Sequence, residues 1–409
     1  MTGRCGWGNF AAVAILCAGA YGLSEWRGGY SASFLFYGTA VLLAVSLGQA
    51  AFGMRRIEAR RSLSQYRFFA GDDAHVIVDV SRSGPLPSGW MIVTDVWTDG
   101  GGEFRHSRMV LPGFRTAVRF RYKLSGLARG RYRFERFEID SGDWFGLIRK
   151  KATVLAETEF VVYPKPLSLA IAPSGEADEA GRTALPPYAA REFAPLVASV
   201  RDYAAGDPLQ RIHWKATARS GSFKTKEAEP LESARLAVVL DPSPGGFAGR
   251  DGDALYEAAV RAVAGLLEWT VGEGALASVH AGSAQELTLP PARRYDLLDV
   301  YELLSRARMG GAESGADLLL RESAAWPRGC TVVFVTRALD ESLVRAANLL
   351  RAGRRRLAVW LVRPGAAAAL GERERRLLEE LERAGGQVAM LRAPAGPVYG
   401  AGGAEDVIA

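Results

Sequence analysis

Residues 200 to 230 (VRDYAAGDPLQRIHWKATARSGSFKTKEAEP) bring acids, bases and aromatics together at a spacing that ordinary loops and strands do not produce. Asp202, Asp207 and Glu227 alternate with Arg201, Arg211, Lys215, Arg219, Lys224 and Lys226, while Tyr203 and Trp214 add large apolar area. Guanidinium and ammonium groups held by neighbouring carboxylates keep a fixed geometry for a phosphate or a carboxylate. Arg201, Asp207, Arg211, Trp214, Lys215 and Arg219 are therefore the candidate partner-docking residues. A purely structural alternative is a salt-bridged excursion clamped on the next domain by Trp214, with Gly206 and Gly221 allowing the turns. A general base at His213 would need a carboxylate partner and a cleft, and the sequence identifies neither, so no catalytic residue is assigned.

A second cluster follows the apolar run Leu236 to Leu240, in the turn Asp241-Pro242-Ser243-Pro244-Gly245. A hard divalent ion takes oxygen ligands, and Asp241 and Ser243 could offer two, directly or through water. The turn is similar to the D-x-S-x-S loop with which von Willebrand factor A-type domains hold magnesium, but it is incomplete. Gly245 replaces the second serine, Gly310-Gly311-Ala312 stands where such domains bring a threonine, and Thr336-Arg337 where they often bring an aspartate. An arginine there would oppose a cation. The expectation is no resident metal or cofactor, with Mg2+ at Asp241 and Ser243 as the alternative.

The cysteines add no framework. Cys5, Cys17 and Cys330 include no pair at metal-ligand spacing and no even set for disulfides. Cys330 precedes the apolar run Thr331 to Val335 and reads as a buried, inert thiol.

Several elements must position these clusters. A chain of 409 residues is too long for one core. With 48% hydrophobic and 23% charged residues it is not disordered throughout. Its net charge of +6 is scattered among nearly as many acids rather than gathered in a stripe, which argues against a nucleic-acid binder. Trp7 to Leu23 and Tyr30 to Met54 are free of charge, and the natural reading is a transmembrane helical hairpin over residues 1–56. Arg55, Arg56, Arg60 and Arg61 crowd the end of the second stretch, so the positive-inside rule places both ends and the main body in the cytoplasm. Ala18-Gly19-Ala20 offers a rival reading as a signal-peptidase site, which would leave that topology unchanged.

Residues 57–166 switch to short alternating runs, among them Ala74 to Val80, Trp90 to Trp97, Ala117 to Tyr122 and Arg131 to Ile139, separated by Gly, Pro and Asp turns. Period-two alternation predicts an all-β, sandwich-like domain. Trp144 and Phe145, in the turn Asp140 to Leu147, are expected to fold back into its core. Residues 167–232 form a linker and the signature segment. From 233 to 409, apolar runs alternate with amphipathic stretches, which predicts an α/β doubly wound domain whose ligands would sit at the strand ends bearing Asp241, Thr336 and Arg363.

The hairpin, the strand-rich middle, Asp143-Trp144-Phe145-Gly146-Leu147 and the signature together resemble the bacterial domain of unknown function fifty-eight family. The motif R-x-Y-x-x-G-D-x-x-R-x-I-x-W-K-x-x-A-R-x-G is met at Arg201, Tyr203, Gly206, Asp207, Arg211, Ile212, Trp214, Lys215, Ala218, Arg219 and Gly221. His213 departs from the aspartate often found before the tryptophan. The resemblance implies a multidomain membrane protein with a von Willebrand factor A-like C-terminal domain, associated with MoxR-type AAA+ ATPases. The expected function is a non-enzymatic, cytoplasm-facing adaptor or scaffold that docks a partner protein and no nucleic acid. A metal-dependent hydrolytic enzyme using the Asp241 loop, or an envelope structural protein, are the alternatives.

Overall fold

The apolar N-terminus folds as two helices, α1 (Gly8–Arg27) and α2 (Tyr30–Gly48). Gly28 and Gly29 reverse the chain between them with φ of 60° and 121°, a region that a side chain disfavours. Ser24 and Ser33 share a hydrogen bond of 3.0 Å across the turn, and the rings of Tyr21 and Phe36 lie 5.2 Å apart. A π-helical turn, Gln49–Gly53, continues α2. The resulting Tyr30–Phe52 run of 23 residues is, among the described residues, the one helix long and apolar enough to cross a membrane. Small residues together with Glu25 and Arg27 make α1 the less apolar of the pair.

The computed structural model describes residues 4–53, 55–167, 169–171, 183–185, 197–202, 214–228, 236–249, 251–272, 276–282, 288–289, 296–310, 313–365, 371–393 and 401–406. It divides into two units, residues 1–163 with 399–409, and residues 164–398.

In the first unit the strands are β1 (Arg4–Gly6), β2 (Arg55–Leu63), β3 (Arg67–Phe69), β4 (Ala74–Ser83), β5 (Trp90–Thr98), β6 (Glu103–Val110), β7 (Ala117–Leu127), β8 (Gly130–Gly142) and β9 (Arg149–Tyr163). They form one sheet of order β1-β9-β8-β5-β6, with β3 beside β9, and a second of order β2-β4-β7-β20, where β20 is Ala401–Asp406. The chain's last described strand thus returns to this unit. Alternation does what the sequence implied: Val76, Val78 and Val80 point inward from β4. They meet Met91, Val93 and Trp97 of β5 and Phe134, Phe137 and Ile139 of β8 in one core shared by both sheets. Each such side chain contributes about 1.5–3 kcal/mol by leaving water.

Arg61 departs from expectation. It is not a free charge at a membrane flank, because its side chain lies fully buried on β2 in an ion pair with Asp95 of β5. Its guanidinium also donates to the Ala156 carbonyl at 2.7 Å and lies 4.0 Å over the Phe134 ring. Tyr122 donates to the same Asp95 carboxylate at 2.6 Å. Burial pushes the Asp95 carboxyl above the ordinary carboxylate value, against the opposing pull of Arg61 and Tyr122.

The second unit carries a parallel pair, β10 (Leu169–Ile171) with β11 (Thr183–Leu185), and a six-stranded sheet built from β14 (Leu236–Leu240), β15 (Leu276–His280), β16 (Thr288–Leu289), β17 (Thr331–Thr336), β18 (Arg356–Pro364) and β19 (Gln387–Ala393). The order in the larger sheet is β16-β15-β14-β17-β18-β19, parallel throughout except for the edge strand β16. β14 and β17 are buried at every position, as strands covered on both faces must be. Helix α4 (Gly252–Gly272) lies along several strands of this sheet. Leu318 of α6 (Gly315–Ser323), Leu343 of α7 (Glu341–Ala352) and Leu381 of α8 (Glu372–Arg383) share a core with Val239, Val332 and Val359. The remaining helix, α5, is Leu297–Arg306. Cys330 is fully buried at the start of β17, as expected.

Candidate functional site

The signature is built as strand, helix and strand. β12 (Val197–Asp202) pairs antiparallel with β13 (Lys224–Ala228), placing Arg201 opposite Thr225 and Asp202 opposite Lys224. Between them lies α3 (Trp214–Ser220). The helix stops because Gly221 takes φ 70° and donates its N–H to the Thr217 carbonyl at 3.0 Å. The Thr217 hydroxyl accepts from the Lys224 N–H at 3.0 Å, joining helix to strand. Trp214 is 66% exposed. Exposure of this order runs against the structural alternative, in which the ring is packed on the next domain. Lys215 and Arg219 are exposed on the same helix, and Phe223 is exposed just beyond it. Asp207 and Arg211 lie outside the described residues, as does the side chain of Arg201.

The second cluster sits where the sheet order reverses, since β14 leads to β15 on one side and has β17 on the other. Such a switch point opens a crevice beyond the strand carboxyl ends. Asp241 lies there, buried. Its Oδ1 accepts from the Ser243 hydroxyl at 2.6 Å and the Ser243 N–H at 3.0 Å, and its Oδ2 accepts from the Thr336 hydroxyl at 2.8 Å. Burial pushes the Asp241 carboxyl above the usual range, these hydrogen bonds pull it back, and Asp340 adds a further upward push. Two glycines wall the carboxylate. A Cβ on Gly246 would stand 2.1 Å from Oδ2, and one on Gly315 would stand 2.7 Å from Oδ1.

The cleft above has a volume of about 410 Å³ and is lined by Asp241, Ser243, Ser314, Gly315, Asp340 and their neighbours. Its oxygen donors suit a hard cation by chemistry. Most are already committed to the protein, however. Ser314 caps α6 by accepting from the Asp317 N–H at 3.2 Å, and Asp340 caps α7 by accepting from the Leu343 N–H at 2.8 Å. Among the described residues, no group of three His, Cys, Asp or Glu side chains is placed to hold a metal. Arg337 donates to the Ala248 carbonyl.

Sequence reasoning found Asp241 and Ser243 but not Ser314 or the glycine walls. Ser314-x-x-Asp317 is a helix-start signal that could have placed the start of α6 there. Gly311 and Ala312 lie outside the described residues.

Two comparisons bear on what kind of protein carries these features. Residues 199–373 match the family described as "Protein of unknown function DUF58". A Bacillus subtilis (strain 168) protein, "Uncharacterized protein YeaD", is 26% identical over 296 residues, which is 71% of this chain and 72% of that one. Both support the family that the signature resembles. Among solved structures, similarity extends to a β-glucosidase from Erythrobacter marinus, with TM-score 0.18 and 14% identity over 26% of this chain, where the match spans only 15% of the enzyme. It also extends to the CARDB domain of a Pyrococcus furiosus protein, with TM-score 0.20 and 12% identity over 27% of this chain and 90% of that domain. Scores this low bear on neither fold nor function.

Proposed function

We propose that the chain is a membrane-anchored, cytoplasm-facing adaptor that docks a partner protein, a MoxR-type AAA+ ATPase or its client, through the signature segment. The exposure of Trp214 carries this reading. Tryptophan and arginine are the residues that most often dominate protein interfaces, and a tryptophan left uncovered by its own domain has apolar area to give to a partner. Lys215 and Arg219 on the same helix supply charge for orientation and on-rate.

On this reading the first unit is a β-sandwich at the membrane and the second a von Willebrand factor A-like body. The parallel sheet with one short antiparallel edge strand favours the latter. Two membrane passes are favoured by the exposed apolar side chains of Ile15, Phe34, Tyr37 and Val41 on the paired helices. Exposed Trp7 and Trp26 lie about 28 Å apart along α1 at 1.5 Å per residue, close to the hydrocarbon thickness of a bilayer. Exposed Arg56 and Arg60 beyond the second pass favour the cytoplasmic orientation. Labelling of a Gly101→Cys variant by an impermeant maleimide only after the cells are opened is the expected result. Labelling of intact cells overturns the orientation.

Co-purification of a MoxR-type ATPase with the full chain tests the docking. Loss of the ATPase in both Trp214→Ala and Arg211→Ala is expected, and its retention in both removes the signature from the interface.

The Asp241 cleft favours a second reading, a metal-dependent hydrolytic enzyme in which Asp241 and Ser243 hold Mg2+. Calorimetry with Mg2+ and Mn2+ decides it: saturable binding that Asp241→Ala abolishes would promote this reading over the adaptor.

A further inference from the structure

The first unit presents a cluster of loops where α2 joins it, and those loops turn large apolar side chains outward. Ser46, near the end of α2, donates to Asp143 at 2.7 Å, and the Trp144 N–H donates to the Gln49 side chain at 3.1 Å. Lys150 donates to the Ala50 carbonyl, and the Asn9 side chain, at the start of α1, donates to the Gly146 carbonyl at 3.3 Å. The turn after β8 is thereby fixed at the level where both helices meet the β unit. Trp144 and Phe145 at its tip are 54% and 50% exposed, not the core residues that the sequence suggested.

A second and a third loop lie at the same level. Leu86 is in contact range of α2, with its Cδ1 3.6 Å from where a Cβ on Gly48 would stand. Buried Arg82 ties that loop to the next by donating to the carbonyls of Leu86 at 2.9 Å, Gly113 at 2.8 Å and Arg115 at 3.0 Å. The Ser88 N–H adds a bond of 2.9 Å to the Gly113 carbonyl. This buried clamp holds rigid a loop whose Leu111 and Phe114 are 74% and 81% exposed. A hydrogen-bond framework that fixes bulky side chains outward, rather than folding them in, needs an occupant for the face it creates.

We propose that this occupant is the lipid surface of the leaflet that α2 enters. Trp144, Phe145, Leu111 and Phe114 sit in the interfacial layer beside Trp7, where aromatic residues are favoured. Exposed Arg115 and Arg149 at the same level face anionic headgroups. The face is continuous with the apolar helix itself, which singles out lipid over a second copy or another protein. The first unit then rests on the bilayer at three loops instead of hanging from one helix end. The inference rests on the membrane reading above and adds to it the contact of the β unit with lipid.

The test uses the full chain in vesicles of phosphatidylcholine and phosphatidylglycerol carrying nitroxide-labelled lipid. Cys5→Ser, Cys17→Ser and Cys330→Ala clear the background, and an environment-sensitive fluorophore is attached to Phe114→Cys, Leu111→Cys or Trp144→Cys, one at a time. Val41→Cys, exposed on α2, reports the helix. Gly101→Cys, beyond the far end of β5, lies about 30 Å from the loops at about 3.3 Å per strand residue. The expected result is a blue shift and loss of fluorescence to the nitroxide at the loop positions, strongest with nitroxides near the headgroups, together with quenching at Val41 and none at Gly101. Quenching at Val41 with loop positions as unquenched as Gly101 overturns the proposal while the anchor stands. A blue shift at the loops without quenching assigns the face to a protein occupant and overturns it as well. Absence of quenching at Val41 removes the membrane reading and the proposal together.

Discussion

The hydroxyl of Ser46 on α2 and the buried carboxylate of Asp143, distant in sequence, meet in a hydrogen bond of 2.7 Å. The other carboxylate oxygen accepts from the Ile148 N–H at 2.9 Å, so Asp143 joins the apolar helix to the turn after β8. Ser46→Ala leaves a buried acceptor short of a donor and should cost about 1–3 kcal/mol. Faster amide exchange across residues 143–148, with β14 unchanged, is the expected readout. Equal exchange in both proteins would show the bond to be without consequence.

The Arg61–Asp95 pair should behave as a buried ion pair does. Removing one partner strands the other charge in an apolar core, so Arg61→Ala is expected to destabilise the first unit by about 3–5 kcal/mol. Asp95 would retain the Tyr122 hydroxyl, which compensates only in part. Denaturant unfolding followed by exchange in β5 and β8 measures the loss.

Gly315 should tolerate no side chain. An added Cβ would stand 2.6 Å from the Phe334 ring and 2.7 Å from the Asp241 carboxylate, so Gly315→Ala must shift β17, α6 or both. Overpacking of this kind costs about 1–3 kcal/mol. Gly310→Ala, which meets no atom within 4 Å, is the matched control expected to be neutral.

His280 gives the second unit a pH dependence. It is buried on β15, 3.2 Å from the Ser278 hydroxyl and edge-on to Trp326. Burial pushes its pKa below the ordinary 6.5, against the weaker upward pull of the Glu322 carboxylate 3.8 Å away. Below 6.5 the unfolded chain takes up a proton that the folded chain refuses, down to the depressed folded value. Stability is therefore fullest above that window and falls as the pH drops through it. Amide exchange in β15, corrected for intrinsic rates, should show protection falling as the pH drops below 6.5, and His280→Gln should flatten the change.

Much of this architecture was legible in the chain because its patterns are strong. The alternation in Ala74 to Val80 and the unbroken apolar run Leu236 to Leu240 each permit one placement, a half-buried strand and a fully covered one. β9 is less legible, because Arg149 to Glu159 is largely polar, as a strand with an exposed face can be. Arg61 misled for a related reason: arginine beside an apolar helix looks like a membrane flank, and only the placement of Asp95 shows it as a core residue. Trp144 and Phe145 misled in the opposite direction, since residue type speaks for burial while the Asp143 turn directs them outward. At the candidate sites, Asp241 and Trp214 could be found from their neighbours in sequence. Gly315 could not, because its role is set by contact with residues far along the chain.

Equilibrium binding of a purified MoxR-type ATPase to the full chain in lipid nanodiscs tests the docking account most directly. A tryptophan at the centre of an interface is worth about 2 kcal/mol or more, so Trp214→Ala should weaken binding by roughly thirtyfold or beyond while leaving unfolding unchanged. Wild-type affinity in that variant would contradict the account.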